Sequence, residues 1–345
     1  MSRSVILILD SAGEMDFILP FLLQHAGRGT RTLVLVSASV YHQVESSLLV
    51  AAASQRIRIR SVHRAFVLLA PLLSLMGLRI WLHFSASLPP IVTSILRIVR
   101  YRNLVAFPHT AFYYYPNVHR PTGKPGPRYA AFIPVMIQLE RYTPNLKALL
   151  GYRSFCITGM FHDSRRFKRF LDSAGNARRD WPSVVILSYY PREGVWTQSD
   201  FTSSLTRTLA CLSANLPTGA SIGVKFHPRA ERLPHQEYPD SLKVSLETES
   251  VFLLARNAQL VIGLGPSASV YAASHMGTDS IVYYGDAPQL RSIRGADELF
   301  DPAFEISMYE DLDAFESELK TRLCRITHHE LSHICLAQPR ACLPD

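Results

Sequence analysis

Apolar residues fall in two rhythms along this chain. Near the amino terminus "SVILILD" is a short unbroken apolar run that stops at Asp10, as a strand buried on both faces reads. "SAGEMDF" follows as a turn into the helical "ILPFLLQHAG", and "TRTLVLVS" is again a strand, which predicts a βαβ opening. The alternating "QRIRIRS" and the apolar "NLVAFP" continue the strand series. Residues 1–150 are therefore expected to form one doubly wound, Rossmann-like unit, with the Pro/Gly-rich Arg120–Tyr129 as a loop inside it.

From residue 151 to 180 the pattern turns basic and helical, "HDSRRFKRFLDSAGNARRD", and is expected to connect two domains. A second alternation fills residues 181–345: strand "PSVVILSYYP", helix "SDFTSSLTRTLACLSANL", strand "SIGVKFHP", strand "LKVSL", helical "ESVFLLARN", strand "AQLVIGLG", a helix from Pro266, and strand "DSIVYYG". Two such units in tandem predict a cleft for a ligand, lined by the carboxyl ends of the second unit's strands.

The 345 residues are 48% hydrophobic, enough material for two cores. A net charge of +8 favours anionic partners, namely a nucleotide, an anionic membrane surface or nucleic acid. The apolar run Val5–Leu9 is too short for the core of a signal peptide, so a cytoplasmic location is expected. Five cysteines without metal-ligand spacing read as reduced thiols, and no zinc site is indicated. The most apolar window, Ala65–Leu78, is broken by Pro71 and falls short of the roughly 20 residues that a spanning helix needs. Arginines on both sides leave it two readings, a buried core helix or a patch that lies on an anionic membrane.

Three segments at predicted strand ends carry chemistry. In "VKFHPR" the strand is stopped by Pro228, which holds His227 at a carboxyl edge between Lys225 and Arg229, a setting suited to an anion. In "SYYPREG" the acid Glu193 can serve as a general base toward a hydroxyl. In "GLGPSAS", Gly263 and Gly265 permit close backbone approach, Pro266 suits a first helical turn, and Ser267 and Ser269 add hydroxyls near free N–H groups, a site for phosphate or carboxylate. The segment does not complete the GxGxxG dinucleotide fingerprint. Together, a base, a cationic phosphate holder and a helix-terminus anion site point to a transferase that uses a nucleotide-activated donor.

These segments, from Val184 to about Gly285, resemble the bacterial sialyltransferases of lipooligosaccharide and capsule, which have the two-Rossmann-domain GT-B glycosyltransferase fold. The resemblance rests on the acid in "VILSYYPRE", the His-Pro pair in "VKFHPR", the serines of "GLGPSAS", and an acid between the last two, Glu247 or Glu249. It implies transfer of sialic acid from CMP-sialic acid to a glycan or glycolipid acceptor, with His227 on the donor phosphate, Glu193 as base, and Ser267 and Ser269 on phosphate or carboxylate. No cofactor is implied, and such a donor requires no metal. The first domain departs from the family's acidic loop: "VAFPHTAFYYYP" puts His109 and Tyr113–Tyr115 at that place, which leaves His109 as an alternative base. The opening "DSAGEMDFILPFLL", with Gly13, more loosely resembles an acceptor-side loop.

CMP-Kdo transferases and CDP-glycerol phosphotransferases share the His-Pro and Ser elements and are the nearest rivals. A rival of another class is a non-catalytic basic protein that binds nucleotides or nucleic acid through "RIRIR" and "RRFKRF". No standard nucleic-acid fold motif accompanies those segments.

Overall fold

The computed structural model describes residues 4–9, 31–45, 47–63, 79–83, 104–107, 135–137, 153–157, 164–188, 197–227, 238–265, 268–283 and 306–336, with residues 15, 18–23, 69, 72–73, 76, 147 and 285 besides. The chain separates into two compact units, Met1–Arg179 with Glu249–Leu253, and Asp180–Thr248 with Leu254–Asp345.

In the first unit β1 (Ser4–Leu9), β2 (Arg31–Ser37), β3 (Arg58–Val62), β4 (Arg79–His83), β5 (Leu104–Phe107), β6 (Val135–Ile137) and β7 (Phe155–Ile157) form one parallel sheet in the order β3-β2-β1-β4-β5-β6-β7. The order reverses at β1, so the sheet is doubly wound. Residues 18–23 are helical, and Ile18, Leu19, Leu22 and Leu23 are buried, as the three-and-four spacing of "ILPFLL" requires. Helices α1 (Ala38–Glu45) and α2 (Leu48–Ala53) lie between β2 and β3.

Residues 151–180 do not form a separate connection. They supply β7 to the first sheet and then α3 (Arg165–Gly175), and both belong to the first unit. The reason is the inner face of α3: Phe167, Leu171 and Ala174 are buried and need a core, while Arg165, Arg166 and Arg169 occupy only the exposed side. Ser164 caps this helix by accepting from the Phe167 N–H at 3.2 Å. Phe167 meets Phe252 edge to face at 5.5 Å between ring centres, which is how Glu249–Leu253 come to belong to the first unit.

In the second unit β8 (Val184–Ser188), β9 (Ala220–Lys225), β10 (Leu242–Leu246), β11 (Leu260–Leu264), β12 (Asp279–Tyr283) and β13 (Ser307–Tyr309) form a second parallel sheet, β10-β9-β8-β11-β12-β13. Every residue of β8 and β11 is buried, as in central parallel strands covered on both faces. Helix α4 (Gln198–Asn215) starts at a reciprocal capping box, Thr197 with Asp200, and buries Phe201, Leu205, Thr208, Leu209 and Leu212 along one stripe. Helix α5 (Val251–Asn257), whose first three residues belong to the first unit, precedes β11, and α6 (Ala268–His275) follows it. The long carboxyl-terminal α7 (Leu312–Leu336) packs on α4 and on the β12–β13 edge.

Neither β13 nor α7 is marked by a strong sequence signal, and a buried cation holds both. Arg322 of α7, 8% exposed, donates to Asp279, to the Ser280 carbonyl at 3.1 Å, to Ser307 Oγ at 2.7 Å and to Glu318 at 2.9 Å. Arg322→Met is expected to cost about 1–3 kcal/mol, because the buried Ser280 carbonyl of β12 loses its donor. Arg207→Ala, which removes the more exposed pairs of α4 with Asp313 and Glu316, is expected to cost less than about 1 kcal/mol. Urea unfolding of the two variants measures the difference, as a midpoint shift at unchanged slope.

Candidate functional site at the carboxyl edge of the second sheet

Parallel strands put all their carboxyl ends on one rim, and the register shows which ends are neighbours. Leu187 of β8 is opposite Lys225 of β9, Leu264 of β11 is opposite Ser188 of β8, and Tyr283 of β12 is opposite Leu264. The three sequence-predicted segments therefore leave from β9, β8 and β11, which lie side by side. Between β8 and β11 the strand order reverses, and the carboxyl edge at such a switch point is the usual place for a ligand in an open α/β sheet.

His227 is half-buried just beyond β9, and its backbone N–H donates to Ser188 Oγ at 2.8 Å. Ser188 is itself buried at the end of β8, so one hydrogen bond ties the histidine's backbone to the centre of the sheet. The strand stops at Lys225 rather than at His227, since the N–H of His227 bonds a side chain instead of the ladder. Sequence reading missed Ser188; a hydroxyl that closes the apolar run "VVILS" was the available signal.

Lys225 is not simply an exposed cation beside the histidine, because its ammonium donates to the Thr248 carbonyl at 3.1 Å and so braces the exit of β10. The two candidate acids separate here. Glu247 belongs to the second unit, is 8% exposed, and accepts from Ser245 Oγ at 2.7 Å while its backbone N–H continues the pairing with Val224 at 2.8 Å. Its stem lies against Gly223, where an added Cβ would come within 2.9 Å of Glu247 Cγ and 2.7 Å of Pro182 Cγ. Glu249 instead belongs to the first unit, where its carboxylate accepts from the Leu48 N–H at 3.2 Å.

At the end of β11, Gly265 has φ 87°, a left-handed turn that glycine adopts without steric cost, and its N–H donates to the Tyr283 carbonyl at 2.7 Å. The chain then enters α6, with half-buried Ser269 in its first turn. Helix and strand touch closely: a Cβ on Gly263 would fall 2.6 Å from Val270 Cγ2 and 3.2 Å from Val282 Cγ2. Tyr283 is buried against Phe315, and burial, the largest influence on its phenol, pushes the pKa up, so the group stays neutral.

Glu193, Pro228, Arg229, Ser267, Gly13 and His109 lie outside the described residues, as do Pro266 and Tyr113–Tyr115. Among the described residues, no group of three or more His, Cys, Asp or Glu is arranged to hold a metal ion.

No family model matches the sequence, and no curated protein matches it. Solved structures do match the fold. Arabidopsis thaliana UGT89C1 complexed with UDP is 12% identical with a TM-score of 0.55, over 95% of this chain and 94% of that one. A putative UDP-N-acetylglucosamine 2-epimerase from Listeria monocytogenes is 11% identical with a TM-score of 0.56, over 95% and 90%. The UDP-N-acetylglucosamine 2-epimerase from Rickettsia bellii is 12% identical with a TM-score of 0.51, over 97% and 98%. With its two doubly wound parallel units, the chain has the GT-B fold.

The contact between Gly263 and α6 is testable. Gly263→Ala is expected to overpack the β11–α6 contact at a cost of about 1–3 kcal/mol, and Val270→Ala in the same chain is expected to recover part of that loss. A double-mutant cycle of thermal or urea unfolding measures the coupling; strict additivity would mean that Val270 is not what the new methyl meets.

Proposed function

We propose that this protein is a glycosyltransferase that takes sialic acid from CMP-sialic acid and passes it to a hydroxyl of a surface glycan or glycolipid. The observation that carries this reading is the rim of the second sheet: His227, tied through its backbone to buried Ser188, stands just beyond β9, next to β8 and to the switch point between β8 and β11, where the Gly265 turn ends β11. The match of fold to UGT89C1 complexed with UDP supports a nucleotide-linked donor at such a site. The choice of CMP-sialic acid rests on the likeness of "VKFHPR" and "GLGPSAS" to the sialyltransferase motifs.

In this mechanism the acceptor hydroxyl oxygen attacks the anomeric carbon of the sugar as the bond from that carbon to the phosphate oxygen breaks. The bond's electron pair leaves with CMP. Glu193 takes the proton of the hydroxyl, and His227 stabilises the charge that grows on the phosphate. The N–H groups and hydroxyls at the start of α6, with Ser267 and Ser269, hold a phosphate or carboxylate oxygen of the donor. In this reading Pro228 fixes the chain after His227, and Arg229 adds positive charge for the phosphate. Glu247 shapes the donor side by bracing the ends of β9 and β10.

The two epimerases of the same fold support a second reading, an enzyme that inverts a carbon of a nucleotide sugar without any acceptor. Both readings need the nucleotide at the same rim, and the products separate them.

CMP is expected to raise the melting temperature more than UDP does, by stabilisation approaching about 2.7 kcal/mol at a hundredfold excess over its dissociation constant. Stabilisation by UDP alone would replace the sialyl donor with a UDP-sugar. Mass spectrometry of donor and acceptor mixtures then distinguishes a transferred sugar from an epimerised donor.

His227→Ala is expected to lose turnover by roughly 10²–10³ and to weaken CMP binding, the loss of one donor to the leaving phosphate. Glu193→Gln is expected to lose about 10²–10⁴ in turnover while CMP binding survives. If Glu193→Gln keeps full activity and His109→Ala abolishes it, the base belongs to the first unit.

A further inference from the structure

We propose that the crossover between β3 and β4 is a docking surface for an anionic lipid bilayer. Among the described residues four large apolar side chains are exposed, and three of them, Leu69 at 45%, Leu72 at 56% and Met76 at 71%, fall within eight residues of this crossover. Single exposed leucines are ordinary on a protein surface, but a cluster of this kind needs a partner. Their spacing of three and four is that of one helical face, and the Met76 N–H donates to the Leu72 carbonyl at 3.1 Å, closing a helical turn. The window that composition alone leaves between core helix and surface patch thus presents apolar side chains to solvent at these three positions.

Charge identifies the occupant. Between Ser46 and Leu139 the chain has eleven arginines and lysines and not one Asp or Glu, so this stretch carries more positive charge than the +8 of the whole protein, and the rest of the chain is net acidic. The exposed trio lies inside that stretch. Ahead of it, Arg56, Arg58, Arg60 and His63 are exposed, with Arg58 and Arg60 alternating along the edge strand β3. Arginines on an edge strand also discourage strand pairing, yet that need would not clear acids from over ninety consecutive residues. Exposed apolar side chains in a stretch whose charged residues are all cationic match a bilayer of anionic headgroups over acyl chains. A protein partner would ordinarily meet a more mixed surface. Among the described residues no helix is long and apolar enough to cross a membrane.

Flotation of the full chain with vesicles tests this without any sugar donor or acceptor, so its result is independent of the transferase reading. The protein is expected to float with phosphatidylcholine vesicles doped with phosphatidylglycerol, not with phosphatidylcholine alone, and to release as salt rises. Arg58→Glu with Arg60→Glu is expected to lower the partition by at least about 25-fold, at about fivefold for each cation near the surface. Leu72→Ser with Met76→Ser is expected to reduce binding at every salt concentration and to leave the melting temperature unchanged, since both side chains are exposed. As a check on the unaltered chain, the doped vesicles are expected to slow peroxide oxidation of Met76, read by peptide mass spectrometry. The proposal is overturned by an absence of binding to doped vesicles at low salt, by a Leu72/Met76 variant that binds like the parent, or by unprotected Met76. It is overturned equally if the Leu72/Met76 variant splits a dimer that never bound vesicles, or if a short RNA displaces the protein from them.

Discussion

The pairing of β8 with β11 is the constraint on which the second unit depends. Both strands are shielded from water along their whole length, so their backbone groups have only each other and their neighbours to bond, and the register between Leu260–Leu264 and Val184–Ser188 is fixed. Polar chemistry has no place along such strands. It is displaced to where they end, and because all strands run the same way, every end lies on one rim. Ser188 marks the border: it is the last residue of β8, still buried, and its hydroxyl is already engaged with the backbone of His227.

From that border the remaining features follow as consequences of packing. Val270 of α6 lies so near β11 that Gly263 has no room for a Cβ, and the turn between them requires the positive φ of Gly265. On the other side, Gly223 leaves space for the stem of Glu247. Three glycines thus serve the second sheet in two ways, Gly223 and Gly263 by close approach and Gly265 by turning. Arg322 closes the far edge, satisfying acceptors on β12, β13 and its own helix, beside an apolar contact in which Phe315 of α7 meets Tyr283 of β12.

The first unit has the same winding but a different surface. Its edge strand is basic, its crossover exposes apolar side chains, and its basic helix α3 is amphipathic, with arginines outside and Phe167 and Leu171 inside.

Much of this was legible in the chain. Short unbroken apolar runs such as "VVILS" and "LVIGL" read as buried strands, and their alternation with helical segments pointed to a doubly wound architecture; the places of His227 and Gly265 past strand ends were legible because proline and glycine follow or close those runs. What sequence could not supply was adjacency. That β8, β9 and β11 are neighbours depends on strand order, which no local pattern encodes. Glu247 and Glu249 look equivalent two residues apart, yet one braces the second sheet and the other bonds the Leu48 N–H of the first unit, 201 residues away. Residues 151–180 read as a linker from their charges and proved to be sheet and helix, because the few apolar residues among those charges outweigh them once a core is near. Sequence determined which segments must be buried and where each must stop; only tertiary packing decided which of those stops meet, since burial is a property of single residues and a site is a property of neighbours.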